Sequence, residues 1–314
     1  MAMLTVALVS SLAAGALWQQ WRSLEIETAE RARVQSLWVL TGALDWARLI
    51  LREDARTGGA DHLAEPWAIP LEEARLSSFL AADKTNTVPD NPDGNSEAFL
   101  SGLIIDLQAR LNVTNLVDGE KISEPSFNAF TKLFELLDLP PSELAALADN
   151  LRQALNTRSS NATTQPVPLL PQRVDQLVWL GLSAHSLLVL RPYITLLPVR
   201  TPVNLNTASA TVLYACIASL NMAQAQRLTS ARQSAHFRAL ADAAALTDSS
   251  AKSLNEAQHS VSSRFFEIEG RLRLDQFVVE EHSVIQRDGL NVKTLWRDRG
   301  QGQGRQKSSD TSRS

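Results

Sequence analysis

Residues of the types that usually carry catalysis are few and scattered in this sequence. The chain of 314 residues has one cysteine and five histidines. Cys216 lies in the apolar run Val212 to Ile217, which is typical of a core position rather than of a reactive thiol. The sequence has no nucleophile beside a base and no glycine-rich phosphate loop. It therefore predicts a protein that is not an enzyme, without catalytic or cofactor-binding residues.

The acidic and amide side chains between Thr85 and Asn95 could in principle bind a metal ion. A helix-loop-helix calcium site needs oxygen ligands at the first and twelfth loop positions and a glycine at the sixth. If Gly94 is that glycine, Pro89 takes the first position and Leu100 the last. Neither side chain offers an oxygen ligand, so the segment predicts a solvated turn, and we assign no metal ligands.

The segment from Val203 to Ala208 (VNLNTA) resembles the start of helix-hairpin-helix modules that bind DNA phosphates. Those modules need a glycine-rich hairpin whose backbone amides approach the phosphate. The following turn, Ser219 to Gln224, has no glycine. A net charge of −4 and a pI near 5.8 also give no attraction for nucleic acid. We interpret the segment as a structural helix pair and keep DNA binding as the least favoured alternative.

One long helix from Met1 to Arg56 is the element around which the rest is organised. Met1 to Trp21 carries no charged residue, and about 20 apolar residues are enough to cross a bilayer. The helical pattern continues through charged sequence until Thr57, Gly58 and Gly59 end it. Such a helix is roughly 80 Å long.

The second half of this helix carries an apolar stripe with spacings of three and four residues. The stripe comprises Leu37, Leu40, Leu44, Ala47 and Leu51. We expect it to pack against the sheet of a head domain. Trp38 and Trp46 fall outside the stripe. We hypothesise that they contact partner proteins, with packing under loops of the head as the alternative.

A secretory signal peptide cut near Ala13 to Ala16 is one alternative for the first residues. However, no basic residue precedes the apolar run, and the helical pattern continues past the possible cleavage point. Trp18 and Trp21 lie where the apolar run meets the first charge, as in an interfacial aromatic belt. We predict a retained membrane helix, and an ordinary membrane anchor of a periplasmic domain stays open as an alternative.

The remaining sequence changes class twice. Residues 57–116 are predicted to form the first part of a β head, and residues 117–261 a helical block. Residues 262–299 are predicted to form three strands, with a hairpin turn at Asp288-Gly289. Residues 300–314 predict a disordered tail. The fold class is therefore α+β, in which a small antiparallel sheet is interrupted by a large inserted all-α domain.

Several segments together resemble the type II secretion system protein K family, the largest minor pseudopilin. The start of the chain looks like the mature N-terminus of a type IV pilin-like protein. The other segments that carry the resemblance are Asp106 to Asn112, Pro192-Tyr193, Pro198, Val203 to Ala208, Ser263 to Phe266 and the last hairpin. No single motif decides the matter, but their order and the inserted helical block are specific.

The resemblance implies a pilin-like fold and a place at the tip of a periplasmic pseudopilus. It implies as partners the I-type and J-type minor pseudopilins, the major pseudopilin and the secretion platform of the inner membrane. It further implies a single-pass protein with a periplasmic head. Met1 falls where the mature, methylated N-terminus of such proteins belongs, after a prepilin peptidase has removed a short leader. A minor pilin of a type IV or DNA-uptake pilus is the alternative function.

Two departures from the family pattern concern metal binding and the filament. Family members often carry an acidic stretch associated with calcium, but Asn156 to Gln165 contains no Asp or Glu. Ala109 replaces a glycine that is common in the family. At the fifth position most pilin-like proteins have a glutamate that pairs with the N-terminal amine of a neighbouring subunit. This chain has Thr5 there, and K-type pseudopilins typically lack that glutamate. We hypothesise that Thr5 marks a subunit with no predecessor.

Overall fold

The computed structural model describes residues 2–76, 98–157, 168–247, 254–274 and 277–301. Helix α1 spans Ala2–Thr57 without interruption. It ends where Gly58 and Gly59 adopt positive φ angles, which residues with a side chain rarely adopt. The predicted helix and the observed one thus agree to within one residue at each end, and Met1 lies outside the described residues.

A five-stranded antiparallel sheet packs on the second half of α1. The strands of the described residues are, in chain order, β1 (Leu71–Arg75), β2 (Ala98–Asp106), β3 (Leu111–Asn112), β4 (Val117–Asp118), β5 (Lys121–Ile122), β6 (Ile194–Thr195), β7 (Val203–Asn204), β8 (His259–Ser260), β9 (Phe265–Leu274), β10 (Phe277–Asp288) and β11 (Asn291–Gln301). The large sheet has the order β1-β2-β9-β10-β11, and β3 to β8 form three two-stranded pairs. Gly289 makes the predicted hairpin turn with a φ of 56°.

The strands β2 and β9 are neighbours although the whole helical unit separates them in sequence. That unit contains α2 (Glu124–Leu136), α3 (Pro141–Thr157), α4 (Ala184–Leu190), α5 (Ala210–Cys216), α6 (Met222–Ser234) and α7 (Leu240–Ala244), with a 3-10 helix at Val174–Leu180. Its core is continuous and includes Phe130, Leu133, Leu147 and Leu213. The predicted arrangement of a helical domain inserted into a small antiparallel sheet is therefore present.

Two predicted boundaries differ from the structure. Leu111, Val113 and Leu116 belong to the core of the helical unit, because they pack with Phe130 rather than with the sheet. The first part of the head thus ends at Asp106 instead of residue 116. At the other end, Gly300 and Gln301 extend β11, since they pair with β10. The rest of the predicted tail, residues 302–314, lies outside the described part of the chain.

The face of the sheet toward α1 is shaped to admit the helix. Leu44, Ala47 and Leu51 pack with Phe266 and Ile285 in one apolar cluster. Farther along, Leu40 packs with Leu100 and Leu272. The residue of β9 beneath Leu40 is Gly270, where an added Cβ would lie 3.3 Å from Leu40 Cδ2. The missing side chain lets the helix approach the sheet closely.

Gly102 is paired with Gly270 across β2 and β9, and it provides a test of this packing. A Cβ at Gly102 would lie 2.8 Å from the backbone oxygen of Glu269, which the strand cannot move without disturbing its ladder. We expect Gly102→Ala to lower the free energy of unfolding by about 1 to 3 kcal/mol. The measurement is chemical unfolding in detergent followed by circular dichroism.

Gly42→Ala is the matched control, because a Cβ on this α1 residue meets nothing within 4 Å. Alanine is the better helix former, so this variant should be more stable by about 0.5 to 1 kcal/mol. Equal stability of Gly102→Ala and the unmodified protein would show that the close pairing of β2 and β9 is wrong.

Candidate assembly interface

Helix α1 has an exposed first half and a second half that is partly buried against the sheet. The side chains from Met3 to Thr28 are all exposed. They begin the one helix of the described residues that is long and apolar enough to cross a membrane, Met3–Thr57. None of the apolar 18-residue window is buried, so it is not the core helix of a soluble domain. Thr5 lies in this exposed part. Trp18 and Trp21 are near its end, with their ring centroids 5.9 Å apart.

The second half of α1 is divided between a buried and an exposed face. Leu40, Leu44, Ala47 and Leu51 are each at most 5% exposed, and Leu37 is half-buried at the edge of the contact. The buried stripe therefore lies against the sheet, leaving the opposite face of α1 accessible. A filament subunit needs such an accessible helix face, because neighbouring subunits can then pack against it.

The two tryptophans of the helix differ in their surroundings. Trp38 is 74% exposed and Trp46 is 44% exposed. Trp46 lines an apolar cavity of about 290 Å³ between α1 and the first strands, together with Trp67 and Ile69. Trp38 does not line that cavity and is the more accessible of the two. The hypothesis of partner contact therefore suits Trp38 better than Trp46.

A buried hydrogen-bond network joins the sheet to the helical unit, and Asp106 is its centre. The Asp106 carboxylate accepts hydrogen bonds from Ser263 Oγ at 2.6 Å, Thr207 Oγ1 at 2.6 Å and Asn204 Nδ2 at 3.0 Å. It also accepts one from the backbone N–H of Gln108 at 2.7 Å. Burial raises the pKa of Asp106, and these hydrogen bonds oppose the rise by stabilising the charged form.

Two further amide side chains of the Asp106 to Asn112 motif bind distant segments. Gln108 donates to the backbone oxygen of Pro202 and accepts from the N–H of Arg264, at 3.0 and 2.7 Å. Asn112 donates to the Val199 oxygen and accepts from the N–H of Leu197. The three sequence motifs that begin at Asp106, Val203 and Ser263 thus meet at one place, where the chain enters and leaves the helical unit. We call this place the Asp106 joint.

A buried ion cluster anchors the end of α1 to the same region. Arg287 of β10 pairs with Asp54 of α1 and with Asp61 of the following loop. Its guanidinium also donates to the Ser263 backbone oxygen at 2.8 Å. Burial raises the pKa of Asp61 to about 6, and the charge of Arg287 opposes that rise. Since each charge is paired, the cluster fixes the helix end relative to the sheet.

Known families match this chain along the helical unit. Two models that describe type II secretion system (T2SS), protein K match residues 109–199 and 203–262. The type II secretion system protein K of Pseudomonas aeruginosa is 27% identical over 325 aligned positions, covering 96% of this chain and 91% of that protein. The chain belongs to the type II secretion system protein K family. The expected function is thereby confirmed as that of a minor pseudopilin of type II secretion.

The fold of the protein K family is also found in a solved structure. A chain of the GspK–GspI–GspJ complex from enterotoxigenic Escherichia coli superposes with a TM-score of 0.65 and 18% identity. The match covers 87% of this chain and 99% of that chain. The predicted α+β fold, with a long helix, a small antiparallel sheet and inserted helices, is confirmed. In this family the apolar first half of α1 anchors the protein in a membrane and the head lies in the periplasm.

The nucleic-acid alternative is not favoured by the environment of Val203 to Ala208. Asn204, Asn206 and Thr207 are buried, and their side chains bond to the protein itself. Asn206, for example, donates to the Phe237 oxygen and accepts from its N–H. The motif therefore has a structural role, as the sequence interpretation held, because its buried side chains bond within the protein.

Two further features of the sequence could carry chemistry, the Cys216 thiol and the calcium-associated stretch of the family. Burial raises the pKa of the Cys216 thiol to about 12, so the thiol stays protonated and unreactive at neutral pH. The calcium-associated stretch of the family corresponds to Asn156 to Gln165, of which residues 158–165 lie outside the described part of the chain. The sequence of this stretch has no carboxylate, so its donor groups do not fit a calcium ion.

The sequence interpretation missed several residues of the joint. Asp106, Asn204 and Ser263 stood inside the recognised motifs, but nothing in their spacing showed that they contact one another. Asp61 and Arg287 are 226 residues apart. A general signal was available, since a buried strand such as β2 that ends on an aspartate must place that carboxylate near donors.

Replacement of Asp106 tests the joint. In Asp106→Asn, an amide N–H group takes the place of an accepting oxygen and faces the N–H group of Asn204 or the hydroxyls. We expect the free energy of unfolding to fall by about 2 to 3 kcal/mol, because buried donors lose their acceptor. Asp45→Asn is the control, since Asp45 forms only an exposed pair with Arg48 and should cost less than about 0.5 kcal/mol. Equal midpoints in urea for both variants would contradict the role of Asp106.

Proposed function

We propose that this protein caps or initiates the periplasmic pseudopilus as a non-enzymatic assembly protein held in the bacterial inner membrane. Its partners are the I-type and J-type minor pseudopilins, the major pseudopilin and the inner-membrane secretion platform. The observation that carries this proposal is the division of α1: an exposed apolar half continues without a break into a half that forms part of the head's core. The structural relative in a GspK–GspI–GspJ complex supports the choice of partners.

The geometry explains why such a protein would end a filament rather than repeat along it. Pilin-like subunits stack through their long helices, and each head must leave room for the next subunit. Here the head carries a helical unit with its own core, attached at the Asp106 joint. A unit of that size on one side of a small sheet obstructs stacking above it. Residues 1–21 insert into the membrane and later pack in the core of the filament.

Partner capture tests the contact role of α1. A fragment that begins at Arg22 lacks the apolar residues, which make no packing contact with the head, and keeps both cores. We expect this fragment to stay folded and to co-purify with the I-type and J-type proteins. Trp38→Ala should weaken capture by roughly 30-fold, because an exposed tryptophan at the centre of an interface contributes about 2 kcal/mol.

Leu188→Ala is the control for capture, since Leu188 is 70% exposed but lies on α4 of the helical unit. Its affinity for the partners, measured by isothermal titration calorimetry, should match that of the unmodified fragment. An equal loss for both variants, or no loss for Trp38→Ala, would show that the exposed face of α1 is not the contact.

Thr5 provides a second test, which concerns the cap. A neutral hydroxyl can bond to the carbonyls of its own helix, whereas a carboxylate in the bilayer core costs several kcal/mol unless it is paired. A first subunit has no preceding amine to pair with, so it does not need a glutamate at this position. We expect Thr5→Glu to leave secretion nearly intact or mildly impaired.

Thr5→Arg should impair membrane insertion and assembly, because an arginine in the membrane core is costly and has no acidic partner in this scheme. The measurement is the fraction of a reporter substrate released into the medium, with the membrane-bound amount of each variant as the control. Strongly increased secretion by Thr5→Glu would mean that the missing carboxylate limits this subunit, which would contradict the cap role.

A further inference from the structure

A polar cleft separates the outer face of the sheet from the helical unit. The cleft has a volume of about 420 Å³. Glu267, His282 and Asp298 line it from β9, β10 and β11, and Arg173 lines it from the segment before the 3-10 helix. This face is opposite to the one that packs on α1. The proposed assembly function does not use these residues.

Two side chains that line this cleft, Glu267 and His282, lie close to a third, Glu269. His282 Nδ1 lies 3.6 Å from Glu269 Oε1 and 3.8 Å from Glu267 Oε1. Both distances exceed a good hydrogen bond. Atoms that share a tetrahedral zinc ion at 2.0 to 2.2 Å lie roughly 3.3 to 3.5 Å apart. The three ligand atoms are all within 4.8 Å of one another, so small rotations of the side chains would bring them to that spacing.

The backbone holds these residues in a fixed arrangement. Glu267 and Glu269 alternate on β9 and therefore point to the same face of the sheet. His282 is the direct partner of Glu269 on β10. Both strands are internal in the sheet, so each is paired on both sides. The positions are thus set by hydrogen-bonded ladders rather than by a flexible loop, as a preorganised ligand set requires.

Two neighbouring charged residues, Arg173 and Glu280, are already paired with other groups. Arg173 Nη1 donates to Asp298 Oδ2 at 2.8 Å, and its guanidinium lies over the Trp296 ring. Glu280, which also faces the cleft, pairs with Arg271. Glu267 and His282 line the cleft, so a water molecule can reach them from there as a further ligand.

We propose that Glu267, Glu269 and His282 form a binding site for a divalent transition-metal ion, selective for Zn²⁺ over Ca²⁺. One imidazole nitrogen and two carboxylate oxygens are common zinc ligands, and three protein ligands leave one tetrahedral position for water. Calcium requires six to eight oxygen ligands, which this set does not supply. A bound ion would cross-link β9 to β10 beside the contact of Arg173 with Asp298.

A second cluster of possible ligands in the described residues differs from the first because it already holds a cation. Its three carboxylates, of Asp54, Asp61 and Glu65, lie within 4.8 Å of one another. There, however, the guanidinium of Arg287 pairs with Asp54 and Asp61, so a cation already occupies the space between them. At His282 the alternative cation is a proton, since the carboxylates of Glu267 and Glu269 raise the pKa of His282 to about 10. A protonated His282 that pairs with both glutamates is thus the competing state.

Zinc titration of the full-length protein in detergent, after treatment with a chelator, tests the proposal. We expect one saturable Zn²⁺ site by isothermal titration calorimetry and no comparable heat with Ca²⁺. His282→Ala, Glu267→Gln and Glu269→Gln should each weaken Zn²⁺ binding by about 100-fold or more, because even outer partners of a metal site contribute 10 to 100-fold. Bound Co²⁺ should show the visible absorption of a tetrahedral site.

Glu280→Gln is the matched control, because it removes one negative charge from the same face without removing a proposed ligand. Its Zn²⁺ affinity should stay within a few-fold of the unmodified protein. Circular dichroism of each variant without metal shows whether it is folded, and the two conservative Gln variants keep the test valid if His282→Ala unfolds. No saturable Zn²⁺ binding, or undiminished binding by both Gln variants, would overturn the proposal and leave the protonated His282 pair as the state of the site.

Discussion

The structure depends on the hydrogen bonds of one buried acidic side chain, the carboxyl group of Asp106. Hydrogen bonds from Ser263, Thr207, Asn204 and the N–H of Gln108 stabilise it. A buried carboxylate without such donors would cost several kcal/mol, so the segments that carry the donors must meet here. They are the segment after the end of β2, the segment Asn204 to Thr207 inside the helical unit, and the residues just before β9. One group therefore determines where the inserted unit leaves and rejoins the sheet.

This joint connects the membrane to the far end of the molecule. The apolar half of α1 is continuous with residues that are buried under the sheet, and Arg287 ties the end of α1 to Asp61 and Ser263. The Asp106 network carries the connection into the helical unit. Each link is a buried contact rather than a flexible linker, so the helical unit keeps a defined position relative to the membrane helix. That property suits a subunit that must present one surface at the end of a filament.

Local patterns predicted the parts of the fold that depend on local physics. The uninterrupted α1, its apolar stripe and the alternation of β9 follow from side-chain periodicity, and the Asp288-Gly289 hairpin follows from turn chemistry. The contact between Asp106 and Ser263 could not be predicted in this way, because it joins residues 157 positions apart. The assignment of Leu111 to the helical unit was missed for the same reason: an apolar strand residue does not reveal which of two cores receives it. Likewise, Glu267, Glu269 and His282 come together only through the register of β9 and β10.

The most direct test of the cap role is the position of this protein in assembled pseudopili. Filaments produced with the full set of pseudopilins can be labelled with gold-conjugated antibodies against the helical unit and viewed by electron microscopy. The account predicts a label at one end of each filament, because the helical unit obstructs stacking above it. Labels repeated at regular intervals along the shaft would contradict the account, since they would show that subunits stack on this head.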